Sequence, residues 1–145
     1  MSIIVTGGAG FIGSHLVDFL IENSTENIII YDNFSRGLYR NIEQHINNSK
    51  ISIIDGNIND EELLKNVIKK NDTVFHLAAE ASVLVSIKNE ALTFYTNVFG
   101  IISIISGQGV FGEHPLAKNT RLPRFIEMIL FLVHINYLKL GKMLK

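Results

Sequence analysis

The chain has no cysteine. Disulfides, thiolate metal sites and a cysteine nucleophile are therefore excluded, and the composition fits a reducing cytosol. The chain also lacks a dominant charge. Its 13 lysines and arginines stand against 14 aspartates and glutamates, for a net charge of −1 and a pI of about 6.5. That balance speaks against an electrostatic nucleic-acid binder and against a polybasic membrane binder. No basic region precedes the first motif, since Met1-Ser2-Ile3-Ile4-Val5-Thr6 runs straight into glycines. A cytoplasmic chain without a secretory leader is expected, and the sequons at Asn23 and Asn47 carry little weight. Internal repeats and low-complexity linkers are missing. The apolar stretch 125–140 is broken by Glu127, His134, Asn136 and Lys139, and it reads as a helix, not a membrane span.

What is present is 145 residues, 47% of them hydrophobic. That length suits one domain, which buries about 70% of its unfolded surface. Residues 3–6, 28–31, 51–54 and 73–77 read as short, continuously apolar strands. A helix is expected from Phe11, with Ile12, Leu16, Phe19 and Leu20 on its apolar face and Ser14, Asp18 and Glu22 elsewhere. Residues 34–41 read as loop, followed by a weak helix to Asn47. Asp60 caps a further helix, with Glu61 and Glu62 in its first turn and Lys69 and Lys70 in its last. Residues 91–100 read as helical. Alternating helices and uninterrupted apolar strands indicate a parallel sheet covered on both faces.

Gly7, Gly10 and Gly13 follow the first strand and open the first helix. With Gly8 they also satisfy G-x-G-x-x-G. In that context the first glycine permits the tight turn, Gly10 lets a pyrophosphate approach the backbone, and Gly13 lets the helix pack on the strand. The helix N-terminus then offers N–H groups to phosphates. Asp32 ends the second strand, 19 residues after Gly13, where an acid hydrogen-bonds the adenosine ribose. A carboxylate there repels a 2′-phosphate and favours NAD over NADP, while Arg36 nearby is suited to accept that phosphate. The competing readings are a glycine turn without a ligand and a plain Asp32-Asn33 turn. The expected fold is a Rossmann-type, doubly wound α/β domain with a mostly parallel sheet, incomplete at its C-terminal end.

The run Val5-Thr6-Gly7-Gly8-Ala9-Gly10-Phe11-Ile12-Gly13-Ser14-His15-Leu16 resembles the opening of the extended short-chain dehydrogenase/reductases. Within them it resembles the NAD-dependent sugar-nucleotide epimerases and dehydratases, the UDP-glucose 4-epimerase-like enzymes. Four more blocks agree in order: Tyr31-Asp32-Asn33-Phe34-Ser35-Arg36-Gly37, Gly56-Asn57-Ile58-Asn59-Asp60, Val74-Phe75-His76-Leu77-Ala78-Ala79-Glu80-Ala81-Ser82-Val83 and Thr96-Asn97-Val98-Phe99-Gly100. The resemblance implies that Gly7, Gly10, Phe11, Ile12 and Gly13 hold the pyrophosphate of NAD. It places Asp32 and Asn33 on the adenosine ribose with Ser35 nearby, and Asn57 and Ile58 beside the adenine. Leu77, Ala78 and Ala79 would line the cofactor, and Asn97 would join the hydrogen-bond network on its side. Asn57 stands where the family usually has Asp, and an amide accepts less strongly than a carboxylate. No histidine pair has metal-ligand spacing, and His15 and His76 read as structural.

Other departures concern the second half. Only residues 101–105 separate Gly100 from Ser106, so a helix of the family is expected to be missing. Gly107 stands where the family has its catalytic Ser or Thr. Tyr137 is followed by Gly141 where Y-x-x-x-K requires lysine, and Lys139 is shifted by two residues. An ordinary amphipathic helix end explains Tyr137 and Lys139 as well. The expected organisation is an NAD-binding domain over residues 1–121, shortened after residue 100, and an apolar helical tail over 122–145 without a sugar-nucleotide domain. The expected product is truncated or frameshifted, with little activity alone. The alternative is an NAD-binding module or regulator without catalysis. A nucleotide sugar is the substrate of intact relatives, and neither nucleic acid nor membrane is expected as a partner. The apolar tail is expected to drive self-association.

Overall fold

The structure is a computed structural model in which residues 1–107 are described. Four strands form one parallel sheet in the order β3-β2-β1-β4, with β1 Ser2–Thr6, β2 Asn27–Asp32, β3 Ile51–Asp55 and β4 Thr73–His76. This is the α/β, Rossmann-type order that the apolar runs predict. Register puts Val5, Ile30, Ile53 and Phe75 in one row on one face. They belong to a core shared with Val17 and Leu20 of helix α1, Phe11–Asn23. The next row, on the opposite face, is Thr6, Tyr31, Ile54 and His76. Buried residues from α2, Glu61–Val67, and α5, Gly100–Gly107, include Leu64 and Ile104, and these two helices pack on each other.

Helix α1 corrects half of the expected apolar face, since Leu20 is buried and Leu16 packs on the core as expected but Ile12 and Phe19 do not. Its buried residues are Gly13, Ser14, Val17 and Leu20, whereas Ile12 and Phe19 are exposed. Near its N-terminus the close approach of α1 to the glycine loop selects small residues, so size decides there over hydrophobicity, whereas Val17 and Leu20 further along are buried as apolar residues. The expected helix to Asn47 is instead two short 3₁₀ turns, Tyr39–Asn41 and Glu43–His45. Ile42 between them is fully buried in the α1-side core. His45 and Gln44 hydrogen-bond Asp18 and so tie this segment to α1. Burial raises the Asp18 pKa, but the hydrogen bonds from His45 and Gln44 and the charges of His45 and His15 outweigh it and leave the carboxyl below its usual value.

Asp60 caps α2 as expected, its carboxylate accepting from the Leu63 N–H at 3.0 Å. The helix ends at Val67, so Lys65 and not Lys69 or Lys70 occupies its last turn. After β4 come α3, Val83–Lys88, and α4, Glu90–Phe94, then a π-helical turn, Tyr95–Phe99, and α5. The segment 100–107 is therefore a short helix, and the shortening expected after residue 100 falls mostly outside the described residues. Among the described residues no helix is long and apolar enough to cross a membrane.

Candidate functional site

In the strand order β3-β2-β1-β4 the chain reverses direction across the sheet between β1 and β4, and ligands of open α/β sheets bind outside the strand C-termini at such a point. Gly7 leaves β1 there with φ +70°. A Cβ on it would stand 2.7–2.9 Å from the backbone of Leu77 and Ala78, so only glycine lets the two strand exits lie side by side. A Cβ on Gly13 would overlap the Gly7 carbonyl oxygen. Gly10 is the N-cap of α1 and offers no side chain, and the first turn of this 13-residue helix carries no acidic residue. The N–H groups at its start are thus left to an anion.

Asp32 is buried at the end of β2. Its Oδ2 accepts from the Ala9 N–H and its Oδ1 from the Phe34 N–H, both at 2.9 Å. The carboxylate therefore ties the glycine loop to the loop after β2. Gly37 completes the tie, because a Cβ there would lie 2.7–2.8 Å from the Asp32 carboxylate oxygens. The Leu38 N–H and the Asn41 Nδ2 both donate to the Ala9 carbonyl, at 3.0 and 2.8 Å. Asn33 Oδ1 accepts from the Ser35 hydroxyl at 2.7 Å and fixes that turn.

The loop after β3 is anchored from below by Tyr31, whose hydroxyl donates to the Asn57 carbonyl at 2.8 Å. Burial, and secondarily the charge of Asp60, push the Tyr31 pKa up to about 12, so it remains a donor. Asn57 Oδ1 accepts from the Asn59 N–H at 2.9 Å, and Ile58 is buried. After β4 the backbone is held by Thr6. Its hydroxyl accepts from the Leu77 and Ala78 N–H groups at 3.2 and 3.4 Å and lies 2.7 Å from His76 Nδ1. The Leu77 N–H is shared with the Thr6 carbonyl at 2.9 Å, and which of the Thr6 hydroxyl and His76 Nδ1 donates to the other follows the ring's tautomer. Burial pushes the His76 pKa down to about 4, so the ring is neutral at pH 7.

These loops enclose an open groove of about 300 Å³. Gly7, Gly10, Asp32, Asn33, Ser35, Asn57, Ile58, Leu77, Ala78 and Ala79, all expected from the sequence, line it. Phe11, Ile12 and Gly13 form the first turn of α1 instead of a wall. Asn97 stands behind the groove, where its Oδ1 accepts from the Glu80 N–H at 2.8 Å and its Nδ2 donates to the Glu80 carbonyl at 3.0 Å. Sequence reasoning did not single out Thr6, Gly37 or Glu80. A hydroxyl ending an apolar strand and a glycine five residues after Asp32 were the available signals. Gly107 ends α5, whereas Tyr137, Lys139, Gly141 and the tail 122–145 lie outside the described residues.

The profile of a family described as GDP-mannose 4,6 dehydratase matches residues 4–121. The chain belongs to this family. Its members are extended short-chain dehydrogenase/reductases, the NAD-dependent sugar-nucleotide epimerases and dehydratases. UDP-glucuronic acid decarboxylase 3 of Arabidopsis thaliana is 37% identical over 105 residues, which is 72% of this chain and 29% of that protein. UDP-glucose 4-epimerase of Halalkalibacterium halodurans is 36% identical over 107 residues, 72% of this chain and 30% of that protein. Among solved structures, the dTDP-glucose 4,6-dehydratase DesIV of Streptomyces venezuelae, with NAD and TYD bound, superposes with a TM-score of 0.71. It is 30% identical, with 77% of this chain and 37% of that one covered. The chain spans less than a third of the length of these two curated relatives.

Proposed function

We propose that this chain carries the NAD site of a sugar-nucleotide epimerase or dehydratase and, taken alone, binds NAD without turning over a sugar nucleotide. One observation carries the first half. Gly10, the uncapped N-terminus of α1, and Asp32 line the same groove, beside which a dinucleotide's pyrophosphate and adenosine ribose would lie. The backbone of Gly7, Gly10, Phe11, Ile12 and Gly13 would hold the pyrophosphate. Asp32 and Asn33 would take the ribose hydroxyls, with Ser35 bracing Asn33, and Asn57 and Ile58 would border the adenine. Leu77, Ala78 and Ala79 would form the opposite wall. Asn97 acts through Glu80.

When bound, the cofactor supplies hydride transfer to and from a sugar carbon. The groups this chain needs for the proton are not in the family's spacing, since Gly107 lacks a hydroxyl and Gly141 stands four residues after Tyr137. General acid–base help contributes typically 10²–10⁴-fold, so its loss leaves a binding module. The domain is proposed to extend to residue 121, and the apolar stretch 125–140 to promote self-association, which light scattering at tens of micromolar would show as species larger than a monomer.

Titration calorimetry with NAD and NADP tests the cofactor assignment. NAD should bind more tightly, and Asp32→Ala should weaken it by about 1.5–3 kcal/mol, the value of a hydrogen bond to a charged group. Equal affinity for NADP in the unsubstituted chain would refute the role of Asp32. Incubation with NAD and UDP-glucose or dTDP-glucose should give no product. Turnover on the order of 1 s⁻¹ would refute the second half of the proposal.

A further inference from the structure

Arg36 is the one cation among the described residues that line the groove. It follows Asp32 by four residues, and an arginine in that region is the usual partner of a 2′-phosphate. Asp32 and Arg36 therefore argue for opposite cofactors. The structure gives Arg36 another partner. Its Nη2 lies 3.2 Å from Glu80 Oε1, joining the loop after β2 to the loop after β4. Glu80 is the fixed member of the pair. Its side chain is only 13% exposed against 61% for Arg36. Its Oε1 also accepts from the Ser82 N–H at 2.9 Å, and Asn97 holds both its N–H and its carbonyl.

We propose that Glu80, positioned by Asn97, sets the cofactor preference of this site by occupying Arg36 and denying it to a 2′-phosphate. The inference rests on the NAD reading above. A phosphate approaching Arg36 would have to displace a carboxylate that the fold holds in place, exchanging one anion for another. An exposed ion pair contributes little to stability by itself. Its effect is therefore expected in the choice between two ligands that differ by one phosphate, not in folding.

The test is calorimetric titration of the full chain with NAD and with NADP, in the unsubstituted form and as Glu80→Gln, Arg36→Ala and the double variant. Glutamine keeps an acceptor for Ser82 but releases the guanidinium. Glu80→Gln should raise the affinity for NADP relative to NAD on the order of tenfold, the size of one charge-assisted contact. The double variant should lose that gain, and Arg36→Ala alone should leave the ratio unchanged. A ratio that stays within about twofold in Glu80→Gln, or a gain that survives removal of Arg36, overturns the proposal. Arg36 is exposed, so its single variant decides even if Glu80→Gln does not fold. Weaker NADP binding in Arg36→Ala would show that the arginine already reaches the phosphate. Failure of the unsubstituted chain to bind NAD overturns the cofactor reading itself, whereas NAD binding with an unmoved ratio overturns this inference alone.

Discussion

His76 makes the stability of this fold dependent on pH. In the folded chain its pKa falls to about 4 because the ring is buried, against the ordinary value of 6.5. Burial favours the neutral ring, so above pH 6.5 both states bind no proton and the full stability is present. Between pH 6.5 and about 4 the unfolded chain takes up a proton that the folded chain does not, and stability falls as pH falls. Below about 4 both states are protonated and the loss is complete. A gap of about 2.5 pH units corresponds to about 3 kcal/mol, a large part of the stability of a small domain. The ring is only 6% exposed, so solvent screening removes little of this. Urea unfolding followed by circular dichroism at constant ionic strength, from pH 7 to pH 4, measures it. His76→Asn keeps an acceptor near the Thr6 hydroxyl but does not titrate, and it should flatten the pH dependence by about 3 kcal/mol relative to the unsubstituted chain. Asp18, whose contribution is lost only as pH falls toward its lowered pKa, is present in both proteins and cancels in the comparison. Equal pH slopes in the two proteins would refute the buried, neutral assignment of His76.

Two further outcomes follow from the site's geometry. Gly13→Ala pushes a methyl group into the Gly7 carbonyl and should cost about 1–3 kcal/mol as α1 is forced off the glycine loop, which a lowered urea midpoint would report. An unchanged midpoint would mean that the loop yields freely. Asn97→Ala removes both hydrogen bonds to the Glu80 backbone and should cost about 1–3 kcal/mol, with faster hydrogen exchange at the Glu80 amide. An amide as protected as before would remove Asn97 from its positioning role.

The strands were legible because each is a short run dominated by apolar residues, the pattern a covered parallel sheet demands, with the exposed Ser52 of β3 breaking it. The buried face of α1 was legible only at Leu16 and Leu20, because periodicity weighs hydrophobicity and the contact near the glycine loop is decided by size. Gly13 and Ser14 are buried for what they lack, whereas Ile12 and Phe19 are apolar and still exposed. The run Ile101-Ile102-Ser103-Ile104-Ile105 misleads for a related reason. Its β-branched residues weaken the helical signal, and packing of α5 on α2 overrides that local preference.

The groove shows the same division between local and distant causes. Gly7, Gly10, Gly13 and Asp32 could be found because backbone geometry and ligand length fix their spacing along the chain. Thr6 and Glu80 act on partners about 70 and 44 residues away, a relation that no local pattern records. Asp32 joins the two kinds of cause. Its carboxylate already accepts from Ala9 and Phe34, one N–H to each oxygen, and an ionised carboxylate has about four acceptor sites. Two acceptor sites therefore remain for the ribose hydroxyls proposed to bind there, without breaking either loop contact. The glycine loop and the loop after β2 are thus held in place before any ligand arrives. NAD bound as proposed would then meet loops already tied at this end of the groove, and the cost of ordering them would have been met by folding.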